Sequence, residues 1–336
     1  MTGTAANTPT SSAPSARRRV FMIGATGTIG RATLRALVRH GHEVVCFARH
    51  ASARGVEPLP GVTVRVGDVT DATSVARDGF RGERFDVVMS CLASRTGTPR
   101  DAWAVDHRAH VDVLQAAKAA GVAQFVLLSA ICVQKPLLEF QKAKRAFEEA
   151  LVHSGIGYSI VRATAFFKSL SGQVERVKAG KPYLVFGSGT LTACKPISDD
   201  DLAEYLATCI DNPARLNRIL PIGGPGPALT PRAQGEQLFA LVGKAPRFTQ
   251  VPVALLDAII GATGLLGRVI PLLANKAEFA RIGRYYATES MLVWNGATER
   301  YDADATPEFG RDTLADHHAK LLRGEIADDR GDHAIF

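Results

Sequence analysis

Seven residues limit the fold more than any others in this chain. Gly24-Ala25-Thr26-Gly27-Thr28-Ile29-Gly30 follows the apolar run Val20–Ile23. It opens a helical pattern that reaches His40 and stops at Gly41. Such a loop needs glycines where backbone approaches a pyrophosphate and where the helix meets the strand. The helix start then supplies amide donors and a favourable dipole. A strand before the loop and a helix after it predict a dinucleotide site rather than a plain tight turn. Gly261–Gly267 repeats the same glycine spacing. The stretch before it, Pro252–Ile260, carries Asp257 and reads as a helix, so no nucleotide is expected there.

The rest of the first half agrees. Strand patterns at His42–Ala48, Val62–Val66, Asp86–Leu92, Phe125–Leu128 and Tyr158–Arg162 alternate with helical patterns at Ala102–Ala120 and Leu138–His153. Continuous apolar strands between helices predict an α/β fold, a Rossmann-type doubly wound parallel sheet. After Phe166 the alternation loosens, with helical patterns at Asp199–Asn212 and Pro231–Val242. We expect a basic leader at 1–18, a nucleotide-binding core at 19–165, a smaller, partly helical C-terminal substrate lobe interleaved with it at 166–320, and a tail at 321–336.

Charge excludes little by itself, but its placement does. The net charge is +7, and residues 1–42 hold six arginines and no acid. A nucleic-acid binder is expected to carry its basic stripe on the folded surface, so no nucleic-acid partner is expected. The five cysteines include no CxxC pair, which removes the usual ligand spacing of zinc and iron–sulfur sites. No metal is expected, and the scattered thiols suit a reducing, cytosol-like compartment. The Ser-, Ala- and Arg-rich start reads as a bacterial-style leader in a cytoplasmic protein, with a plastid transit peptide as the other reading.

Cofactor choice follows from the end of the second strand. An acid about 20 residues after the last glycine would hold the ribose hydroxyls of NAD. Here Arg49 stands 19 residues after Gly30. A guanidinium there suits a 2′-phosphate, so NADPH is expected over NADH. Position alone adds Asp68 and Val69 beside the adenine, and Cys91, Leu92 and Ala93 along the cofactor path.

These features resemble the short-chain dehydrogenase/reductase superfamily. Its carbonyl-reducing members pair a tyrosine with a lysine four residues later, after a serine. Here the stretch is Phe140-Gln141-Lys142-Ala143-Lys144, preceded by Ser129. The resemblance implies that Lys144 and Ser129 face the cofactor. The phenol is missing, which argues against ordinary ketone reduction.

Longer stretches resemble one family, the NADPH-dependent divinyl chlorophyllide a 8-vinyl reductases. They are Ser90–Arg95 (SCLASR), Phe125–Phe140 (FVLLSAICVQKPLLEF), Ala165–Ser169 (AFFKS), Ala193–Ser198 (ACKPIS), Leu220–Pro225 (LPIGGP) and Ile282–Tyr286 (IGRYY). Ala163 stands where the resemblance leads one to expect proline. The family implies reduction of the 8-vinyl group of a tetrapyrrole to ethyl in (bacterio)chlorophyll synthesis, a step that needs no tyrosine. The proton donor stays open, with Lys144 first, a bound water second and Tyr285 or Tyr286 third. The family points to Phe140, Phe166 and Phe167 as aromatic walls, and to Lys168, Lys195 and Arg284 as partners of the substrate's propionate. His317 and His318 read as a surface pair rather than magnesium ligands. Val251–Leu273 reads as a lid, a membrane-facing patch or core. A phenolic-ether or isoflavone-type reductase and a non-catalytic NADP(H) sensor stay open.

Overall fold

A computed structural model of the chain describes residues 16–266 and 271–327. Seven strands form one parallel sheet in the order β3-β2-β1-β4-β5-β6-β8. They are β1 (Arg19–Ile23), β2 (Glu43–Ala48), β3 (Val62–Val66), β4 (Val87–Ser90), β5 (Gln124–Ala130), β6 (Gly157–Ala163) and β8 (Arg218–Ile222). Two short parallel strands, β7 (Tyr183–Phe186) and β9 (Phe248–Val251), pair outside this sheet. A hairpin joins β10 (Val293–Asn295) and β11 (Arg300–Asp302).

Alternation along β1 assigns the two faces. Val20 and Met22 pack with the Thr28–Arg39 and Asp199–Ala207 helices. Phe21 and Ile23 pack on the other face with Val113, Leu114, Phe147 and Leu151. Those four come from the run Pro99–Ala119 and the helix Glu139–Val152. His40 and Glu204, 2.6 Å apart, tie the first two helices together. Chain order reverses across β1, whose neighbours are β2 and β4. Ile23 is level with Phe47 and Ser90. The segments leaving all three strands therefore open at one edge, where sheets of this kind bind their ligands.

Two differences from the sequence reading have physical causes. The long helix is helical from Pro99 to Ala119, but Trp103–Ala109 winds as a π-helix; an apolar period near 3.6 cannot reveal such a turn. β8 escaped the pattern because it is short, half-exposed and contains Pro221. It sits at the sheet edge, the place where proline is tolerated. The second glycine repeat agrees with the sequence reading: Gly261–Leu266 lies inside the Val253–Leu266 helix, so its first glycines do not open a helix. Residues 1–15 of the expected leader, part of the Val251–Leu273 segment and the end of the tail lie outside the described residues. Arg18, placed in the leader, donates to Asp211 at 2.7 Å.

Candidate active site

The site grows from the carboxyl edge of β1. Gly24 has φ +78 and no room for a Cβ, which would collide with the Cys91–Leu92 peptide. Gly30 is packed just as tightly on the Gly24 carbonyl. Gly27 caps the helix at Thr28, and no side chain satisfies the first-turn amides. Thr26 lends its carbonyl to Arg31, 2.9 Å away. Ile29 turns inward to the core. The result is a bare backbone cradle at a helix start, open to an anionic ligand.

A cleft continues from this cradle, lined by Phe47, Ala48, Arg49, Ser52, Val69 and Leu92. It runs between the ends of β1, β2 and β4, where the adenosine half of a dinucleotide would lie. Arg49 is exposed and begins the short His50–Ala53 helix. The Asp68 carboxyl lies below its usual range because Thr70 donates two hydrogen bonds to it, with Arg49 adding its charge. Ala93 is exposed, whereas the Cys91 thiol contacts Thr33 at 3.6 Å. Burial pushes that thiol up to about 12, so it is neutral and inert.

Beyond the cradle lies a buried polar cluster. Lys144 Nζ donates to Asp106 Oδ1 at 2.9 Å. Asp106 also accepts from the Ser94 hydroxyl at 2.6 Å and the Ser94 amide at 3.1 Å. His110 sits between Ser90 Oγ and the Val105 carbonyl, each 2.8 Å away. Burial first, and the Lys144 charge second, bring His110 down to about 4, so it is neutral near pH 7. Asp106 was missed in the sequence because a lone aspartate in a helical stretch reads as solvated surface. Its spacing from Ala102, Ala109 and Val113 puts it on the buried face of that run.

The structure gives the other expected site residues these partners. The Ser129 hydroxyl donates to Glu148 at 2.6 Å, and Glu148 is paired with Arg162, which ties that hydroxyl into the sheet–helix layer. Lys168 reaches back to the glycine loop, donating to Thr28 Oγ1 at 2.7 Å. Nearby Asp199 is pushed up to about 6 by burial, with Lys168 opposing. Lys195 is buried against Glu308 at 2.5 Å. Arg284 pairs with Asp257 of the Val253–Leu266 helix. Phe166 packs against the sheet core, and Phe167 is buried beside His317. His318 is buried, not a surface residue. Tyr285 is buried and donates to the Cys132 carbonyl at 3.3 Å, while Tyr286 is exposed.

Phe140 stands one turn before Lys144 on the same helix. It packs in a cluster with Ile131, Cys132, Ile282 and Tyr285. Gly97, from the segment after β4, sits where an added Cβ would be 3.3 Å from Ile282 and 3.8 Å from Phe140.

An NAD(P)H-binding family model matches residues 24–213. A solved NADPH-dependent quinone oxidoreductase, QOR2 of Escherichia coli in complex with NADPH, superposes with a TM-score of 0.65 at 19% identity. That likeness covers 90% of this chain and 99% of the other. The chain is an NADPH-dependent oxidoreductase of the atypical short-chain dehydrogenase/reductase type. The chloroplastic divinyl chlorophyllide a 8-vinyl-reductase of Oryza sativa subsp. indica is 50% identical over 94% of this chain and 82% of its own length. That of Arabidopsis thaliana is 47% identical over 92% and 78%. The chain belongs to the divinyl chlorophyllide a 8-vinyl-reductase family.

Arg49 gives a first test of the cleft. A charge-assisted contact to a 2′-phosphate is worth roughly 1.5–3 kcal/mol, which is about tenfold or more in affinity. Arg49→Ala is expected to weaken NADPH binding by that factor and leave NADH binding unchanged. Fluorescence titration of both cofactors checks it. Equal weakening of both would assign Arg49 elsewhere.

Proposed function

We propose that this protein reduces the 8-vinyl group of divinyl chlorophyllide a, or a close precursor, to ethyl. The observation that carries the proposal is the likeness, over more than nine-tenths of this chain, to enzymes named for that reaction. The site agrees with it. Phe140 stands where a ketone reductase places its phenol, so no oxyanion donor is built in. A vinyl group conjugated to a macrocycle spreads the charge it gains into the ring and needs none.

Bound NADPH would supply the hydride, and one proton from the protein or solvent completes the ethyl group. The glycine cradle and Thr28 position the pyrophosphate, with Gly24, Gly27 and Gly30 giving close approach. We assign Lys168 to the same phosphates, through its place on Thr28, instead of to the substrate. Arg49, Asp68 and Val69 border the adenosine end, and Cys91, Leu92 and Ala93 floor the path toward Lys144. We assign the proton to Lys144, the cation one turn beyond Phe140. Phe140 and Ile282 offer the apolar wall that a flat pigment needs.

No helix among the described residues is long and apolar enough to cross a membrane. The Val253–Leu266 helix exposes Leu255 and Ile259. This supports peripheral contact with the membranes that hold such pigments, in a protein of a reducing, cytosol-like compartment. Flotation with anionic liposomes is expected to carry the protein upward, and Leu255→Asp to abolish it.

The reaction itself is tested by anaerobic incubation with divinyl chlorophyllide and NADPH. A monovinyl product with a blue-shifted Soret band is expected. Tight NADPH binding without product would favour a cofactor sensor of the same fold.

A further inference from the structure

Asp106 is the most deeply buried acid in the site. It is 1% exposed, and its side chain is fully enclosed. A carboxylate there is retained only if donors surround it. It has three: Lys144 Nζ, Ser94 Oγ and Ser94 N. They come from two different places, the Glu139–Val152 helix and the segment leaving β4. The cation needs the acid equally. Lys144 has four rotatable bonds, and its side chain is 14% exposed. Its other titratable neighbours are His110 and Cys132, each held in its neutral form. One turn further along its own helix, Glu148 is engaged by Arg162 and Ser129. Asp106 is therefore the acid that fixes this ammonium. The π-helical stretch supplies it, on the face that also buries Ala102, Ala109 and Val113.

We propose that Asp106 is a positioning residue. It aims the Lys144 ammonium at the reacting end of the cofactor path and, through Ser94, sets its height against the β4 segment. This inference rests on the reductase reading, because aiming Lys144 matters only if Lys144 touches the reacting atoms. A structural staple would hold the same groups together without affecting turnover, so the test must separate the two.

The full-length protein is used throughout. Asp106→Asn is expected to lower kcat at least tenfold at saturating pigment, with the NADPH Kd within threefold of the parent. Asp106→Glu is expected to recover part of the loss. In a Lys144→Met background, adding Asp106→Asn is expected to lower kcat by no more than twofold, because the residue acts only through Lys144. A second readout needs neither cofactor nor turnover. Acetylation of Lys144 by acetic anhydride, followed by peptide mass spectrometry, is expected to speed up at least threefold in Asp106→Asn. If Asp106→Asn does not fold, Ser94→Ala replaces it, with the same directions and smaller factors. An unchanged labelling rate would show that Asp106 does not hold Lys144, an unchanged kcat in Asp106→Asn would leave it a structural staple, and an equal loss of kcat in both backgrounds would show that it acts apart from Lys144; each overturns the proposal. If the parent protein itself reduces no pigment, the reductase reading fails, and labelling still reports whether Asp106 holds Lys144.

Discussion

Gly30→Ala is expected to destabilise the protein by about 3 kcal/mol, at the upper end of overpacking penalties, and to abolish measurable NADPH binding. Alanine favours a helix by about 1 kcal/mol over glycine, so propensity alone predicts the opposite sign. Packing decides. The new methyl would overlap the Gly24 carbonyl and crowd the Ala25 Cα. Those are backbone atoms at the start of a buried strand-to-helix turn and cannot swing aside. Gly24 cannot move either, since its own Cα faces the Cys91–Leu92 peptide at φ +78. The control is Gly27→Ala. Its methyl would meet only the Gly24 carbonyl, at an ordinary 3.6 Å. Thermal unfolding is expected to be nearly unchanged there, while NADPH affinity falls at least tenfold because the ligand's approach is blocked. Calorimetry and cofactor titration on both variants check the pair. Equal destabilisation would mean that the loop's glycines serve folding alone.

The contrast between these glycines shows what a sequence can and cannot disclose. Spacing located the loop, because strand, turn and helix are local and each leaves a local pattern. Arg49 was legible for the same reason, being a fixed number of residues from Gly30. Roles that depend on distant partners were not. Lys168 meets Thr28 across 140 residues, and Ser129 meets Glu148. Neither partnership follows from neighbouring residues. Asp106 is the sharpest case. It shares the buried face of Ala102, Ala109 and Val113, but its partners, Lys144 and Ser94, lie 38 and 12 residues away. β8 was hidden by Pro221, a residue that speaks against strands except at an edge. A chain position says which element a residue belongs to; which cavity the residue faces is set by how elements pack.

Lys144→Met is expected to lower kcat by 10²–10⁴, the usual contribution of a positioned general acid. That range corresponds to about 3–5 kcal/mol of barrier. Methionine keeps the length and apolar stem, so the helix should stay in place, but it leaves Asp106 buried beside no cation. Part of the effect could then arise from a disturbed pocket. Lys144→Arg separates the causes, since it keeps the charge for Asp106 and changes the donor's shape and acidity. If Lys144 supplies the proton, Lys144→Arg should restore thermal stability to near the parent value and leave kcat low. The loss should also grow with the solvent deuterium isotope effect in single-turnover measurements, as proton delivery becomes limiting. If Lys144 serves only to hold the cofactor, both variants should instead raise the NADPH Kd and leave single-turnover rates at saturating cofactor unchanged. Full turnover in Lys144→Met would pass the proton to bound water. Tyr285 is a poor substitute, because burial pushes its phenol far above the usual range and its hydrogen is used by the Cys132 carbonyl.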